Sequence, residues 1–518
     1  MHEVRLAGSA GSAGNVADLV RRAADTRPDH PALRWQDRVL TWAELDQQVD
    51  DLAAALAALD LSGGGEHAPR VAIGLPNVPE FAIATFAAMR ANMIAVPVNP
   101  GYTARELAHL LSDSGAAVLI ASQDVVAAAG EHAPRHTFAL GELPRGGGPV
   151  PAVGTGGEDV AVLLYTSGTA GAPKGAMLSH RALLANHDQL AALPSPPVGP
   201  DDVLLLAIPL FHAYGLNSGL VAIAYHAATG VLIERFDPAD TLEYIARHGV
   251  TVVAGVPPMY IAWSLMGDRL AAAFKSVRLT ACGTAPLDPA TAERFTAASG
   301  QQVHEGYGLT ETAPVVTSTI GSAIRKPGSI GRPIPGVEVK LALAGGGEVV
   351  VDGPLDDDDY DDDSPGTPGT DPGEVLVRGA NLFSGYWPDG RDGPGDDGWW
   401  HTADVAYADA DGDLFLVDRL SELILVSGFN VYPVEVEQVL MNHPAVTEAA
   451  VLGVPHPYTG QTVKAFVVRS GDVTADELIG YAEKNLARFK CPTAIEFVAE
   501  LPHSATGKVR KGVLRETA

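Results

Sequence analysis

Two segments of the chain carry the apolar spacing of amphipathic helices. Within residues 41–59, one helical face collects the apolar side chains Leu45, Val49, Leu52 and Leu56. Thr41 and Glu44 form a capping-box pair at the start of this segment, and a second such pair, Thr103 and Glu106, opens a similar segment. Both segments are therefore predicted to be helices that pack one face against a core.

Short apolar runs alternate with these helical patterns along the first part of the chain. They are bounded by turn-forming or polar residues and have the length of buried strands. The runs lie at residues 70–75, 94–98, 117–121, 160–165, 203–208, 230–233, 251–254 and 277–281. Strands that alternate with helices predict an α/β fold with a largely parallel sheet.

The length of the chain predicts several cores. At 518 residues it exceeds the roughly 100 to 200 residues of a typical domain, so two to four domains are expected. With 46% hydrophobic and 19% charged residues, the chain resembles folded rather than disordered proteins. Residues 1–14 lack the apolar segment of a secretory signal, and no clean run of about 18 apolar residues predicts a membrane span.

Charge and cysteine content narrow the expected partners and compartment. The 35 Lys and Arg residues face 63 Asp and Glu residues, and the net charge of −28 argues against nucleic acid as a partner. Screening over about 8 Å still allows a local site to bind a small phosphorylated ligand. Two cysteines, Cys282 and Cys491, do not make a disulfide framework, and they favour a cytoplasmic location.

A change of composition divides the chain. Residues 345–373 include seven Asp between positions 356 and 363, beside Pro, Gly and Ser, and predict a solvated, flexible insertion rather than a metal site. The residues from position 420 onwards predict a small α+β domain, so the expected domains are 1–419 and 420–518. The predicted elements of the second domain are strands at 423–426, 449–452 and 463–468 and helices at 433–442 and 474–489.

Residues 165–175 predict a phosphate-binding loop. Their sequence is YTSGTAGAPKG, and it follows an apolar strand and precedes a helical pattern. Glycines expose backbone N–H groups, hydroxyls add donors and a lysine adds a positive charge. The candidate phosphate-binding residues are Thr166, Ser167, Gly168, Thr169 and Lys174. Pro173-Lys174-Gly175 replaces the Gly-Lys-Ser/Thr of the common P-loop, which disfavours a kinase or a GTPase.

This loop resembles the signature of the adenylate-forming superfamily, which includes acyl-CoA synthetases, nonribosomal peptide adenylation domains and firefly luciferases. Further motifs follow in the family's order, so the resemblance covers roughly residues 16–516. It implies a large N-terminal domain of layered α/β subdomains, with mostly parallel sheets and a small β-barrel-like part. It also implies a small, mobile α+β C-terminal domain that acts as a lid over AMP.

Residues 209–217, PLFHAYGLN, resemble the substrate-gate segment of acyl-CoA synthetases. The resemblance makes His212 the aromatic gate and a catalytic candidate, and it assigns Tyr214 and Gly215 to the acyl pocket. Relatives that activate amino acids carry an Asp here to hold the substrate amine. His212 in that place argues against an α-amino acid substrate.

Residues 255–260 and 282–287 resemble the strand-end loops that line the acyl pocket and hold adenine. The resemblance assigns to the pocket Gly255, Val256, Pro257, Cys282 and Gly308, and to the nucleotide Gly283, Thr284, Ala285 and Pro286. Open α/β sheets bind ligands at the carboxyl ends of their strands, which supports this placement independently. The two loops contain no Arg or Lys to pair a second carboxylate, so a monocarboxylate is favoured over a dicarboxylate such as malonate.

Residues 306–311, GYGLTE, resemble the motif that binds adenine, the α-phosphate and magnesium. The resemblance implies that Gly306 and Tyr307 contact adenine, that Thr310 bonds the α-phosphate and that Glu311 binds the metal. A helix that begins at Thr310 is compatible with this role, because helix N-termini favour anions.

The segments around residues 401–404 and 418–419 resemble the pair that holds the ribose hydroxyls, which implies roles for Asp404 and Arg419. Ala403 is a departure, because the family's usual residue there is Gly. Ser421 stands at the family's hinge, where Asp or Lys is usual. A serine can still absorb a backbone rotation.

Two segments of the predicted C-terminal domain resemble those that serve the two half-reactions. Residues 426–437 match the thioester-forming segment, which implies that Gly428, Phe429 and Asn430 act in the coenzyme A step. Residues 501–510 match the loop that carries the adenylation lysine, which is Lys508 here.

The resemblance implies an ATP-dependent acyl-CoA synthetase for a medium- or long-chain fatty acid. ATP, Mg²⁺ on Glu311 and coenzyme A are the expected cofactor and co-substrates, and a homodimer is compatible with the sequence. An aryl or cinnamate-type CoA ligase is the alternative within the family. An adenylating module that loads a carrier protein is the alternative of another class.

Overall fold

The computed structural model describes most of the chain as two compact units. The described residues are 14–61, 67–146, 152, 154–166, 173–322, 324–343, 347–354, 369–419, 422–426, 429–503 and 509–515. The first unit comprises Met1–Val337 and Arg378–Trp400, and the second comprises Glu338–Val377 and His401–Ala518. The chain passes between these two units three times, and the domain boundary after residue 419 stays a prediction.

The first unit contains two sheets. Their strands are, in chain order, β1 (Pro31–Trp35), β2 (Arg38–Thr41), β3 (Arg70–Gly74), β4 (Ile94–Pro97), β5 (Val118–Ala121), β6 (His136–Ala139), β7 (Val160–Thr166), β8 (Lys174–Ser179), β9 (Val203–Leu206), β10 (Thr229–Leu232), β11 (Val252–Gly255), β12 (Leu279–Cys282), β13 (Val303–Gly308), β14 (Val315–Ser318) and β15 (Arg332–Pro333). Each of the eight predicted apolar runs coincides with one of these strands to within two residues at either end.

Parallel pairing dominates both sheets. One sheet has the order β6-β5-β3-β4-β7-β8, with an antiparallel pair at the β7–β8 edge. The other has the order β15-β14-β13-β12-β11-β9-β10-β1-β2, parallel from β13 to β1 and antiparallel at both edges. Strands in parallel sheets are buried on both faces, which explains why they read as continuous apolar runs.

Helices connect the strands of the first unit. They are α1 (Asp18–Thr26), α2 (Trp42–Ala57), α3 (Pro79–Arg90), α4 (Ala104–Ser114), α5 (Gln123–Ala129), α6 (His180–Ala191), α7 (Ala213–Gly215), α8 (Ala222–His226), α9 (Pro238–His248), α10 (Pro257–Ser264), α11 (Asp268–Ala273) and α12 (Pro289–Ser299). The predicted capping boxes of α2 and α4 are both formed, which confirms these helix starts. Among the described residues, no helix is both long and apolar enough to cross a bilayer.

The second unit contains two further sheets. Its strands are β16 (Val337–Leu343), β17 (Glu348–Val351), β18 (Gly373–Gly379), β19 (Trp400–Ala408), β20 (Leu414–Arg419), β21 (Ile424–Val426), β22 (Phe429–Val431), β23 (Val446–His456), β24 (Gly460–Arg469) and β25 (Ala494–Phe497). Its helices are α13 (Pro433–Met441), α14 (Ala475–Asn485) and α15 (Lys511–Arg515). The sheet orders are β17-β16-β18-β19-β20 and β22-β21-β24-β23, and β25 pairs with β24.

Four aromatic rings pack behind the end of β11. Tyr260, Trp263, Phe274 and Phe295 are almost fully buried, and their rings meet edge to face at centroid distances of 4.9 to 5.8 Å. Each such pair contributes about 0.5–1.5 kcal/mol beyond the burial of its area. The cluster fixes α10 directly after Gly255, where the sequence predicts a ligand-binding loop.

Three local predictions differ from the structure. Strand β8 begins at Lys174 and so includes the last two residues of the predicted phosphate loop, whereas the predicted helical pattern after it corresponds to α6. Strand β17 lies inside the segment predicted to be a flexible insertion, because residues 339–342 supply pairing partners for it. Thr310 does not start a helix but lies in a single 3₁₀ turn, Thr310–Thr312. The acidic run 356–363 and the N-terminal residues 1–13 lie outside the described residues.

Ala403, the departure noted in the ribose motif, adopts a backbone conformation that favours glycine. Its φ is 61°, in the left-handed region. Its backbone N–H donates to Glu374 Oε1 over 3.2 Å, while Thr402 Oγ1 donates to the carbonyl of Val375 over 2.8 Å. These bonds hold β19 in place on both sides of Ala403, so the strained conformation is retained.

Ala403→Gly is expected to leave the free energy of unfolding unchanged or to raise it by up to about 1 kcal/mol. A left-handed alanine costs about 1–2 kcal/mol, whereas the added freedom of an unfolded glycine costs about 0.4–1 kcal/mol. Urea unfolding measures the difference. Ala494→Gly is the control, because Ala494 is exposed in β25 and is not among the residues of positive φ. That variant should lose about 0.5–1 kcal/mol, and equal losses in both would contradict the strain at residue 403.

Candidate active site

The ends of β7 and β8 bring the two sides of the predicted phosphate loop together. The antiparallel register pairs Thr166 directly with Lys174 and Tyr165 with Gly175. Residues 167–172, which include Ser167, Gly168 and Thr169, lie outside the described residues. The hairpin thus sets Thr166 and Lys174 side by side at one edge of the six-stranded sheet.

Lys174 makes two contacts within the first unit. Its Nζ lies 2.9 Å from Oδ2 of Asp392 and 5.0 Å from the ring centroid of Tyr386. The side chains of the ion pair are 57% and 67% exposed, so the pair contributes at most about 1 kcal/mol. A phosphate group can therefore displace Asp392 from Lys174 readily.

The segment that carries Tyr386 runs alongside β8. Ser384 donates its N–H to the carbonyl of Met177 over 2.9 Å, and Trp387 donates to that of Gly175 over 2.8 Å. Tyr386 itself bridges to Ala176 in antiparallel register. The sequence motifs do not indicate this segment. The feature of the sequence that could have marked this segment is the pair of glycines Gly385 and Gly390. A Cβ on either glycine would crowd the backbone at or next to the other one.

Glu311 meets the same tyrosine from the other side. Its carboxylate Oε1 accepts a hydrogen bond of 2.6 Å from the Tyr386 hydroxyl, and its backbone carbonyl accepts one of 2.9 Å from the N–H of Phe383. The residue is buried at 7% exposure. Tyr386 therefore joins Lys174 from the phosphate loop to Glu311 from the GYGLTE motif.

Buried amides hold the turn on which Glu311 lies. The carbonyl of Thr312 accepts from Asn381 over 2.7 Å, that of Ala313 accepts from Asn217 over 2.6 Å, and that of Val315 accepts from Asn186 over 2.9 Å. Gln189 in turn donates to Asn381 Oδ1 over 3.2 Å. Leaving any one of these buried carbonyls unpaired would cost about 1–3 kcal/mol.

A buried histidine extends this amide network. His187 Nε2 lies 3.1 Å from Oδ1 of Asn217, whose Nδ2 already donates to two carbonyls. Since Asn217 Oδ1 can only accept, His187 must carry its proton on Nε2. Burial lowers the pKa of His187 to about 3, which keeps the ring neutral at physiological pH.

The strand-end loops that follow β11 and β12 lie next to each other. Gly255 pairs with Cys282 in parallel register, and the Tyr260 hydroxyl donates to the carbonyl of Ala281 over 2.7 Å. A Cβ on Gly283 would lie 3.0 Å from the ring of Tyr214. Burial raises the pKa of the Cys282 thiol and of both phenols. These groups stay uncharged and form an apolar wall.

The predicted gate segment forms a tight turn in front of this wall. His212 caps α7 by accepting the N–H of Tyr214 on Nδ1 over 3.2 Å. Gly215 fits because a Cβ there would overlap the carbonyl oxygen of Pro209. A π-helical turn, Leu216–Val221, follows and carries Asn217 into the amide network. Asn217 therefore connects the predicted gate segment with the turn that carries Glu311.

Two polar groups lie beside this wall, of which Glu305 was not predicted and Thr284 was assigned to the nucleotide. Glu305, which pairs with Cys282 in register, is buried, and burial raises the pKa of its carboxyl, whose Oε2 accepts the N–H of Leu287 over 3.2 Å. Thr284 has a φ of 72°, and its buried Oγ1 has no hydrogen-bond partner among the described residues. Of the other predicted residues, Tyr307 is buried, Val256, Pro257, Ala285 and Thr310 are half-buried, and Gly308 and Pro286 are exposed.

The second unit pairs its predicted ribose-binding residues. Asp404 of β19 stands directly opposite Arg419 of β20, and it is buried at 5% exposure. Lys508, Ser421 and Gly428 lie outside the described residues, as do the side chains of Arg419, Phe429 and Asn430. Their functional roles stay predictions.

Comparisons with known proteins identify relatives along almost the whole chain. The family model for the AMP-binding enzyme matches residues 20–387, and that for the AMP-binding enzyme C-terminal domain matches residues 435–508. The long-chain-fatty-acid–CoA ligase of Salmonella typhimurium is 34% identical over 97% of this chain and 94% of its own length. The feruloyl-CoA synthase of an Amycolatopsis species is 36% identical over 95% of this chain and 97% of its own length.

Solved structures share the fold. ATP-bound MatB from Rhodopseudomonas palustris superimposes with a TM-score of 0.83 at 30% identity, covering 97% of this chain and 99% of that one. O-succinylbenzoate coenzyme A synthetase from Bacillus subtilis, in complex with ATP and magnesium ion, gives 0.81 at 29% identity, with coverages of 96% and 99%. These likenesses confirm the predicted fold class.

Gly308→Ala is expected to lower the free energy of unfolding by about 3 kcal/mol, because the backbone of the Glu311 turn must move. A Cβ at residue 308 would overlap the carbonyl oxygen of Pro314 and lie 3.1 Å from Cα of Val315. Urea unfolding measures the loss. Gly154→Ala is the control, since the nearest atom to its Cβ would be 3.8 Å away, and it should change stability by less than about 0.5 kcal/mol. Similar values for both variants would exclude this steric constraint.

Proposed function

This chain belongs to the AMP-binding enzyme family, and from that membership we propose an ATP-dependent acyl-CoA synthetase that activates a medium- or long-chain fatty acid. The observation that carries the proposal is the meeting of Lys174 and Glu311 at Tyr386. A cation and a carboxylate beside one another are what a magnesium-bound polyphosphate requires. The relative named as a long-chain-fatty-acid–CoA ligase, which aligns over nearly the whole chain, supports the substrate class.

The proposed chemistry has two displacement steps. A carboxylate oxygen attacks the α-phosphorus of ATP, an O–P bond forms, and the bond to the leaving pyrophosphate breaks. The sulfur of coenzyme A then attacks the acyl carbon, the thiol proton is lost, and AMP leaves with the electrons of the broken C–O bond. Both partners of the first step are anions, so preorganised cations and donors must stabilise the transition state.

Each predicted residue has a place in this scheme. Lys174 and the hydroxyl of Thr166 bind the phosphates that leave, and Thr310 donates to the α-phosphate. Lys508 supplies a positive charge at the α-phosphate during adenylation. Asp404 accepts hydrogen bonds from the ribose hydroxyls, and Arg419 assists it. Gly428, Phe429 and Asn430 serve the thioester step, in which coenzyme A is the acceptor.

The residues around Glu311 fit a magnesium ion. Mg²⁺ prefers oxygen ligands and is commonly held by one or two carboxylates together with substrate phosphates. Glu311 offers a buried carboxylate whose Oε1 accepts from Tyr386. Within the described part of the chain its Oε2 has no hydrogen-bond partner. When bound there, the ion would neutralise charge on the ATP phosphates.

The apolar wall supports an uncharged acyl group. Cys282, Tyr214 and Tyr260 remain uncharged because burial raises their pKa values. Such a wall accepts alkyl chains, and it also accepts aromatic rings. The relative named feruloyl-CoA synthase, at 36% identity, favours an aryl carboxylate as the second candidate. His212 at the gate disfavours an amino acid under either alternative.

A substrate panel tests the proposal. Pyrophosphate release from ATP is measured with acetate, octanoate, palmitate, benzoate and 4-coumarate, each with and without coenzyme A, and thioesters are weighed by mass spectrometry. Acyl-CoA formed from octanoate or palmitate is the expected result, and a product from 4-coumarate alone would establish the aryl alternative. Adenylate formation without a soluble thioester would indicate a carrier-protein acceptor. Absence of pyrophosphate release with all five acids would contradict the proposed substrate class.

Lys508→Ala is expected to slow adenylation by a factor on the order of 10² to 10³, because it removes a charge-assisted contact made mainly in the transition state. Thioester formation from preformed acyl-AMP should change much less. Single-turnover measurements of each half-reaction separate the two effects. Lys484→Ala, which removes a lysine from the last turn of α14, is the control and should affect neither. Equal losses in both half-reactions would disprove the assignment of Lys508.

A further inference from the structure

We propose that Tyr386 is a positioning residue that holds Glu311 Oε1 and thereby presents Oε2 to the magnesium ion of bound ATP. The inference rests on the proposed function and adds to it a residue that the sequence motifs did not indicate. The hydrogen bond from the Tyr386 hydroxyl to Glu311 Oε1 measures 2.6 Å, in the range of strong O–H···O⁻ bonds.

The same segment fixes Glu311 at both of its ends. Phe383 donates its N–H to the backbone carbonyl of Glu311 over 2.9 Å, three residues before Tyr386 binds the carboxylate. The rings of Phe383 and Tyr386 also meet edge to face at 5.1 Å. One short stretch of chain therefore determines both the backbone position and the side-chain direction of Glu311.

Tyr386 itself is anchored by its backbone. Its N–H donates to the carbonyl of Arg391 over 2.9 Å, its carbonyl accepts from Gly390 over 2.8 Å, and it bridges to Ala176 of β8. These bonds fix the backbone from which the phenol reaches Glu311, and the ring contact with Phe383 orients the phenol further. The carboxylate is thus preorganised rather than arranged at the moment of binding.

A carboxylate held in this way suits magnesium better than a mobile one. Mg²⁺ demands near-octahedral geometry and exchanges its water reluctantly, so a ligand oxygen in the wrong direction binds weakly. With Oε1 occupied by the phenol, Oε2 is the oxygen that remains for the metal. Loss of the hydroxyl should therefore weaken the magnesium-dependent part of ATP binding and leave acyl binding unchanged.

Tyr386→Phe tests this role in the full-length chain, because it removes the hydroxyl and keeps the ring beneath Lys174. Binding of α,β-methylene-ATP, which cannot release pyrophosphate from its α-phosphate, is measured by calorimetry over a range of Mg²⁺ concentrations and again with EDTA. The half-saturating Mg²⁺ concentration is expected to rise roughly tenfold, the value typical for one charge-assisted hydrogen bond. Binding in EDTA and the KM of the carboxylate should not change.

Tyr225→Phe is a matched control in the first unit. Its hydroxyl donates to Oδ1 of Asp188 over 2.5 Å, and the guanidinium of Arg22 lies 5.5 Å from its ring centroid. It therefore loses the same kind of bond to a carboxylate beneath the same kind of cation. Its Mg²⁺ dependence should match that of the unmodified chain.

A double-mutant cycle with Glu311→Gln keeps the inference testable if Tyr386→Phe also lowers stability. If Tyr386 acts through Glu311, its removal has no further effect on Mg²⁺ dependence in the Glu311→Gln background. An unchanged Mg²⁺ dependence in Tyr386→Phe, or an equal loss with Mg²⁺ and with EDTA, would overturn the inference while the unmodified chain still bound the analogue. Failure of the unmodified chain to bind it would overturn the proposed function itself.

Discussion

The buried carbonyls of residues 312–315 are the constraint on which the site depends. A turn inside a protein leaves carbonyl oxygens that regular secondary structure does not pair, and each needs a donor. Here the donors are amides from three separate segments: α6, the π-helical turn after the gate, and residue 381. They converge only when all three segments are in place. The position of Glu311 therefore depends on how α6, the π-helical turn and residue 381 pack around its turn.

The amide network also connects the predicted gate segment with the GYGLTE motif. Asn217 Oδ1 accepts a hydrogen bond from the N–H of neutral His187, and its Nδ2 donates to the carbonyls of Leu183 and Ala313. The short helix capped by His212 continues into the π-helical turn, and Asn217 in that turn supports the turn that carries Glu311. The predicted gate segment and the turn that carries Glu311 are therefore joined by hydrogen bonds through Asn217.

Local signals predicted much of the fold, and long-range pairing accounts for what they missed. Capping boxes and apolar runs depend on neighbours three or four residues away, so α2, α4 and the eight parallel strands followed from the sequence. Strand β8 depends on β7 and on residues 384–387, more than 200 residues distant. The contact of Tyr386 was not predicted for the same reason, since its partner Glu311 is 75 residues away. No local pattern marks such a contact.

Glycine positions shape the wall formed by Tyr214, Tyr260 and Cys282. A Cβ on Gly283 would lie 3.0 Å from the ring of Tyr214, and one on Gly255 would lie 2.9 Å from the ring of Tyr260, so the absence of a side chain makes room for both rings. The parallel register of β11 and β12 sets Gly255 opposite Cys282, and Tyr260 also packs edge to face against Trp263 and Phe295. A wall built in this way is rigid and apolar. Under the proposed function, such a wall would discriminate acyl groups by length and shape rather than by a second polar end, because Tyr214, Tyr260 and Cys282 stay uncharged.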